Sequence, residues 1–130
     1  MPLVQIDVQH GHSTAHRRAI LDGVHAALVE CFKIPDRDRL QVLREHTVEN
    51  FDRPPGRSDN FTVVQLVAFA GRSREAKRDL FAAIVRNLQR APGIDPLDVF
   101  IVLCEPPRDN WGIRGGQQAS AVELGFKVDV

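Results

Sequence analysis

The residue with the most unusual chemistry in this 130-residue sequence is its second. The chain opens Met1-Pro2, and methionine aminopeptidase accepts small second residues, so removal of Met1 would leave a free secondary amine on Pro2. An ordinary terminal amine has a pKa of about 8, leaving roughly a tenth of it neutral at pH 7. Lowering that pKa by about two units makes about nine-tenths neutral, at a differential cost of about 2.7 kcal/mol. An apolar pocket or nearby cations supply such a shift. Pro2 would then be a general base held rigidly at the start of a strand. The alternative is that Pro2 merely opens an edge strand.

Two further groups have chemistry suited to a small acid. Arg72 falls between the end of a strand and the first turn of a helix, where free backbone N–H groups also point. A guanidinium there can hold a carboxylate bidentately, and Arg74 stands ready to assist. The other reading of Arg72 is a solvated arginine. Asp38, in the run DRDR just before the second strand, can activate water or hold a protonated amine. It can equally be a turn residue salt-bridged to Arg37 and Arg39, and its counterpart Asp98 is the natural control. Trp111, in the irregular segment RDNWGIRGG, serves either as a wall for a ligand or as a plug.

Other chemistries find little footing. His10, His12 and His16 cluster in sequence, but no acidic or cysteine partner stands at metal-ligand spacing, so no metal site is expected. His12 and His16 would share a helix face only if that helix began before Ser13. There is neither a Ser–His–Asp signature nor a Gly-rich phosphate loop. Seventeen basic and seventeen acidic side chains cancel, which gives no electrostatic footprint for nucleic acid or an acidic membrane. No apolar run is long enough to span a bilayer, and the N-terminus lacks the pattern of a signal peptide. Cys31 and Cys104 read as buried thiols of a reducing compartment. The expectation is a soluble cytoplasmic protein.

The elements that position these groups occur twice. Residues 3–8 (LVQIDV) form a short strand, a helix runs from about Ser13 to Phe32 with Ser13 as N-cap, and a second strand spans Leu40 to Glu45. Residues 47–60 are a loop rich in Pro, Gly, Asp and Asn. The pattern then restarts with strand 61–69, a helix from about Ser73 to Arg90, a turn at Gly93-Ile94-Asp95-Pro96 and strand 98–104. A shift of 60 residues carries Leu3, Val4, Gln5 and Ile6 onto Val63, Val64, Gln65 and Leu66, Gly11 and Ser13 onto Gly71 and Ser73, and Ile34 and Asp38 onto Ile94 and Asp98. Two β-α-β units follow, each with a helical crossover that makes its own strands parallel. The expected fold is α+β: a single domain over 1–130 with pseudo-repeats 2–46 and 61–104, a four-stranded mixed sheet with two helices on one face, and a tail 105–130 contributing a short hairpin or strand.

FTVVQLVAF and VFIVL are apolar on both alternating faces, as in strands buried on both sides. Two helices cover one face only, so the other is expected to pack on copies of the same chain. The tail segment 121–130 either adds an edge strand across a subunit boundary, the reading favoured here, or folds back over its own sheet.

Pro2 opening a first strand, the paired β-α-β units and Gly-Arg-Ser opening the second helix together resemble the tautomerase superfamily, whose catalytic group is an amino-terminal proline and whose members typically form trimers. The likeness covers essentially the whole chain and is most specific in MPLVQIDV, IPDRDRLQVLREH, FAGRSREAK, GIDPLDVFIVL and DNW with the Gly-rich stretch after it. In its fused, 130-residue form the chain is most similar to the malonate semialdehyde decarboxylase group. The resemblance implies Pro2 as catalytic proline, Asp38 as the decarboxylase group's catalytic aspartate, Arg72 as the arginine for the substrate carboxylate, and Trp111 and Ile113 as the pocket wall. Leu40 and Arg74 join them as substrate contacts. Two positions depart from the decarboxylase pattern: Ala70 stands where a second arginine is found, and Ile113 where close relatives have Phe. With one cation fewer near the proline, the resemblance implies generic enol–keto chemistry ahead of specific decarboxylation. The expected activity is therefore a cofactor-independent isomerase of small 2-oxo or 2-hydroxyalkenoic acids, working as a homotrimer. A malonate semialdehyde-type decarboxylase or hydratase is the second reading, and an oligomeric binding module without turnover the third.

Overall fold

The computed structural model describes residues 2–130. Strand β1 (Leu3–Gln9) leads into helix α1 (Thr14–Phe32) and strand β2 (Leu40–His46). The unit repeats as β3 (Thr62–Val67), α2 (Arg74–Arg90) and β4 (Val99–Cys104), and the two-residue strands β5 (Gly112–Ile113) and β6 (Gln117–Gln118) pair as a hairpin. The sheet order is β2-β1-β3-β4, parallel within each unit and antiparallel between them. In the central antiparallel pair Gln5 lies opposite Gln65 and Val4 opposite Leu66. Because a shift of 60 residues also carries Gln5 onto Gln65, the pseudo-two-fold axis of the duplication passes between these two glutamines.

Local signals start both helices in the same way. Ser13 Oγ accepts from the His16 amide at 3.0 Å, and Ser73 Oγ accepts from the Ala76 amide at 3.1 Å. Each cap follows a glycine of positive φ, Gly11 at 122° and Gly71 at 136°, a conformation that an L side chain rarely adopts. One face of the sheet packs Val4, Ile6, Val8, Val64 and Leu66 against Ile20, Val24, Leu28 and Phe32 of α1 and Leu80, Ile84 and Leu88 of α2. Burying an aliphatic side chain of this kind stabilises by about 1.5–3 kcal/mol, so this layer holds the two units together.

Leu40, Val42, Phe100 and Val102 on the face that the helices leave uncovered keep between 41% and 53% of their surface, as expected of a sheet with both helices on one side. The structure corrects two expectations. The thiols are not buried: Cys31 is half-buried and Cys104 exposed, because Cys104 pairs with Val67 in the register and so faces outward on the open side. The tail segment 121–130 forms no strand and does not leave the chain; it folds back, burying Val128 in a small cluster with Phe69 and Ala119. No helix among the described residues is long and apolar enough to cross a membrane.

Candidate active site

A cleft of about 540 Å³ opens where β1 and β2 begin. Leu3 comes from β1, Pro35, Arg37 and Asp38 from the turn before β2, and Leu40 from its first residue. Phe69 lies just past β3, and the segment after β4 closes the far side with Trp111, Gly112, Ile113, Arg114, Leu124 and Phe126. Phe69 and Trp111 meet edge to face, with centroids 4.7 Å apart, and the indole Nε1 donates to the Pro106 carbonyl at 3.2 Å. That bond fixes the ring as a wall. The lining is apolar except for Arg37, Asp38 and Arg114, a composition suited to a small organic acid.

Arg72 is only 6% exposed. Its Nη1 donates to the Phe69 carbonyl at 3.2 Å, and its guanidinium carbon sits 4.7 Å from the centre of the Phe32 ring. Among the described residues its buried Nε has no hydrogen-bond partner. Burial lowers the Arg72 pKa, helped by Arg108, while the charges of Glu105 and Asp38 oppose that shift. A buried, incompletely bonded donor costs about 1–3 kcal/mol, and an incoming carboxylate would relieve that cost.

The expected site residues fall into three groups. Asp38, Leu40, Trp111 and Ile113 line the cleft. Pro2 and Arg72 are not among the lining residues, but each is joined to one: Pro2 is buried next to Leu3 in the chain, and Arg72 is bonded to the Phe69 carbonyl. Arg74 is exposed on the first turn of α2 and lies outside the lining, because the Ser73 cap carries the chain past the cleft before the helix begins. Met1, whose removal frees the Pro2 amine, lies outside the described residues. Sequence reasoning missed Leu3, Pro35, Arg37, Phe69, Arg114, Leu124 and Phe126. The alternation of Leu124, Phe126 and Val128 was the available signal for the tail residues, and it was read as a strand.

The duplication supplies its own control. Asp98 is buried, and its carboxylate accepts from the Ser58 amide at 2.9 Å and the Ser58 hydroxyl at 2.5 Å. The counterpart of Arg72 is His12, whose Nε2 donates to the Asp59 carbonyl at 3.0 Å. The linker between the repeats therefore occupies the second copy of the site, and the first copy stays open. His12 also stacks on His16, with centroids 4.2 Å apart, although α1 starts only at Thr14. The extended Ser13 backbone brings the two rings together without an earlier helix start.

Comparison with known proteins agrees with this geometry. Two family models, both described as tautomerase enzyme, match residues 38–114 and 2–55. The chain belongs to the tautomerase superfamily. It is 25% identical over 122 residues to "Probable tautomerase YusQ" of Bacillus subtilis (strain 168), spanning 90% of this chain and 96% of that protein. Among solved structures it is similar to the FG41 malonate semialdehyde decarboxylase inhibited by 3-bromopropiolate, with a TM-score of 0.83 and 35% identity over 92% of this chain and 94% of that one. It is also similar to a fused 4-OT wild-type symmetric trimer, with a TM-score of 0.81 and 26% identity over 92% and 97% of the two chains. Tautomerase-superfamily membership accounts for the paired β-α-β units of the fold.

Proposed function

We propose that this protein is a cofactor-independent tautomerase that interconverts enol and keto forms of small 2-oxo and 2-hydroxyalkenoic acids. The observation carrying this reading is an apolar cleft that begins one residue from Pro2, whose lining residue Phe69 holds the buried Arg72 guanidinium, its Nε without a partner among the described residues. With Met1 removed, the Pro2 amine takes the proton of the 2-hydroxyl as the carbonyl forms and returns it to a carbon of the dienol, so atoms and charge balance over the cycle. This chemistry needs the freed Pro2 amine in its neutral form. Arg72 holds the substrate carboxylate and stabilises charge developing on the 2-oxygen, while Leu40, Trp111 and Ile113 exclude water. Arg74 is assigned an outer role in drawing the acid inward. Copies of the chain associate through the uncovered sheet face as a homotrimer, as in the fused 4-OT trimer.

Asp38 favours a second reading. Asp38 lines the cleft, and the FG41 relative is a malonate semialdehyde decarboxylase. A decarboxylase or hydratase of that kind would keep Pro2 cationic, to polarise the aldehyde, with Asp38 assisting.

Intact mass spectrometry before and after treatment with 3-bromopropiolate tests the proposal. Loss of Met1 and an adduct mapped to Pro2 are expected; an uncleaved, unlabelled terminus overturns both enzymatic readings. The pH dependence of labelling separates them: a Pro2 pKa well below about 7 selects the tautomerase, and one near about 9 the decarboxylase.

A further inference from the structure

We propose that the folded-back tail is a positioning element for Arg72, with Val128 as its central residue. This inference rests on the reading of Arg72 as the carboxylate anchor. The turn carrying Arg72 has little to hold it from within. Ala68 still bonds to the Cys104 carbonyl at 3.0 Å, but Ala70 and Gly71 are exposed and Gly71 takes a φ of 136°. An arginine side chain loses much rotamer freedom when it is held in one direction. Here its own contacts are the Phe69 carbonyl and the face of Phe32.

The tail supplies the missing restraint at alternate residues of the turn. Val128, 3% exposed, is buried with Phe69, the residue whose carbonyl receives Nη1. A Cβ added at Gly71 would lie 3.2 Å from Val128 Cγ1 and 3.9 Å from the Asp129 backbone. Ser73 Oγ, while capping α2, donates to the Val130 carbonyl at 2.9 Å. Residues 69, 71 and 73 are thus gripped by one segment, and Arg72 projects from between them.

The other repeat lacks this clamp. A Cβ at Gly11 would meet nothing within 4 Å, and its turn is tied to the linker through His12 itself. The tail therefore serves the turn that carries the arginine. Because Leu124 and Phe126 also line the cleft, the segment that shapes the cavity wall also aims the guanidinium.

The test compares wild type with Val128→Ala and Val128→Ile, using 3-bromopropiolate and its neutral amide as paired labels. For Val128→Ala the concentration giving half-maximal labelling by the acid rises about tenfold, the loss expected when a hydrogen bond to a charged group is misaligned. Labelling by the amide, which has no carboxylate to grip, stays at the wild-type rate, and Val128→Ile restores the acid. General loosening of the site would instead slow both labels alike, and equal changes overturn the proposal. A second readout needs no labelling: the Arg72 Nε–H resonance, assigned by its loss in Arg72→Lys, is protected from solvent exchange in wild type and exposed in Val128→Ala. Unchanged protection overturns the clamp. An unlabelled wild type overturns the enzymatic reading, while the Nε–H resonance still decides the clamp.

Discussion

Replacing Asp98 and Asp38 in parallel asks which of two equivalent carboxylates builds the fold. Asp98 is 5% exposed and accepts two hydrogen bonds from Ser58, from the amide at 2.9 Å and the hydroxyl at 2.5 Å. A hydrogen bond to a charged group contributes about 1.5–3 kcal/mol. Ser58 itself is exposed, so water replaces part of what it loses. Taking the lower end for each bond, Asp98→Ala is expected to cost roughly 2–4 kcal/mol and to lower the melting temperature by about 6–15 °C. Asp38 is half-buried at the cleft and shares the field of Arg72, so Asp38→Ala should cost less than Asp98→Ala. Urea denaturation of both variants and wild type at one protomer concentration measures the difference, because association shifts apparent stability. Asp98→Asn should fall between them, since its amide oxygen still accepts from the Ser58 amide. Equal destabilisation by Asp38→Ala and Asp98→Ala would refute the reasoning: both aspartates would then serve their turns, and Asp38 would lose its claim to chemistry.

Three other perturbations read different parts of the molecule. Arg72→Met removes a buried charge whose Nε has no partner among the described residues, so stability should hold or rise while turnover of a 2-hydroxyalkenoate falls by about a hundredfold; thermal melts and initial rates check the two halves. Phe100→Lys puts a charge on the uncovered apolar face, where Phe100 is 53% exposed, and sedimentation velocity should show the proposed trimer giving way to smaller species at unchanged helix content. His16 titrates below its ordinary value of 6.5, chiefly through burial, with His12 and Arg17 adding to the effect and Asp59 opposing it. Between the lowered folded pKa and the unfolded value the unfolded chain binds more protons, so stability drops as pH falls below about 6.5, and His16→Phe should flatten that decline in denaturation midpoints.

Much of the architecture was readable because it is local. Ser13 and Ser73 cap their helices through amides three residues away, and the 60-residue repeat carries Gln5 onto Gln65, the pair that faces across β1 and β3. The cleft was half readable. Asp38, Leu40, Trp111 and Ile113 line it, whereas Pro2, Arg72 and Arg74 are outside the lining, and Phe69, Leu124 and Phe126 leave no periodic trace because they pack across a cleft. The tail misled for a related reason. Leu124, Phe126 and Val128 alternate as a strand would, but an apolar depression at Phe69 and Gly71 offered them burial without a ladder.

By itself the sequence determined the duplicated β-α-β plan, the caps and a proline at the head of β1, all set by neighbours a few residues apart. Only the tertiary structure decided which copy of the site stays open. Asp38 and Asp98 sit in the same kind of turn, and the difference between them is Ser58, 40 residues from Asp98, whose hydrogen bonds fill one copy and leave its mate a cleft. The hold on the Arg72 turn is likewise non-local, joining Ser73 to Val130 across 57 residues. Contacts at such separations depend on where the packed core delivers each segment, and residue spacing does not record that.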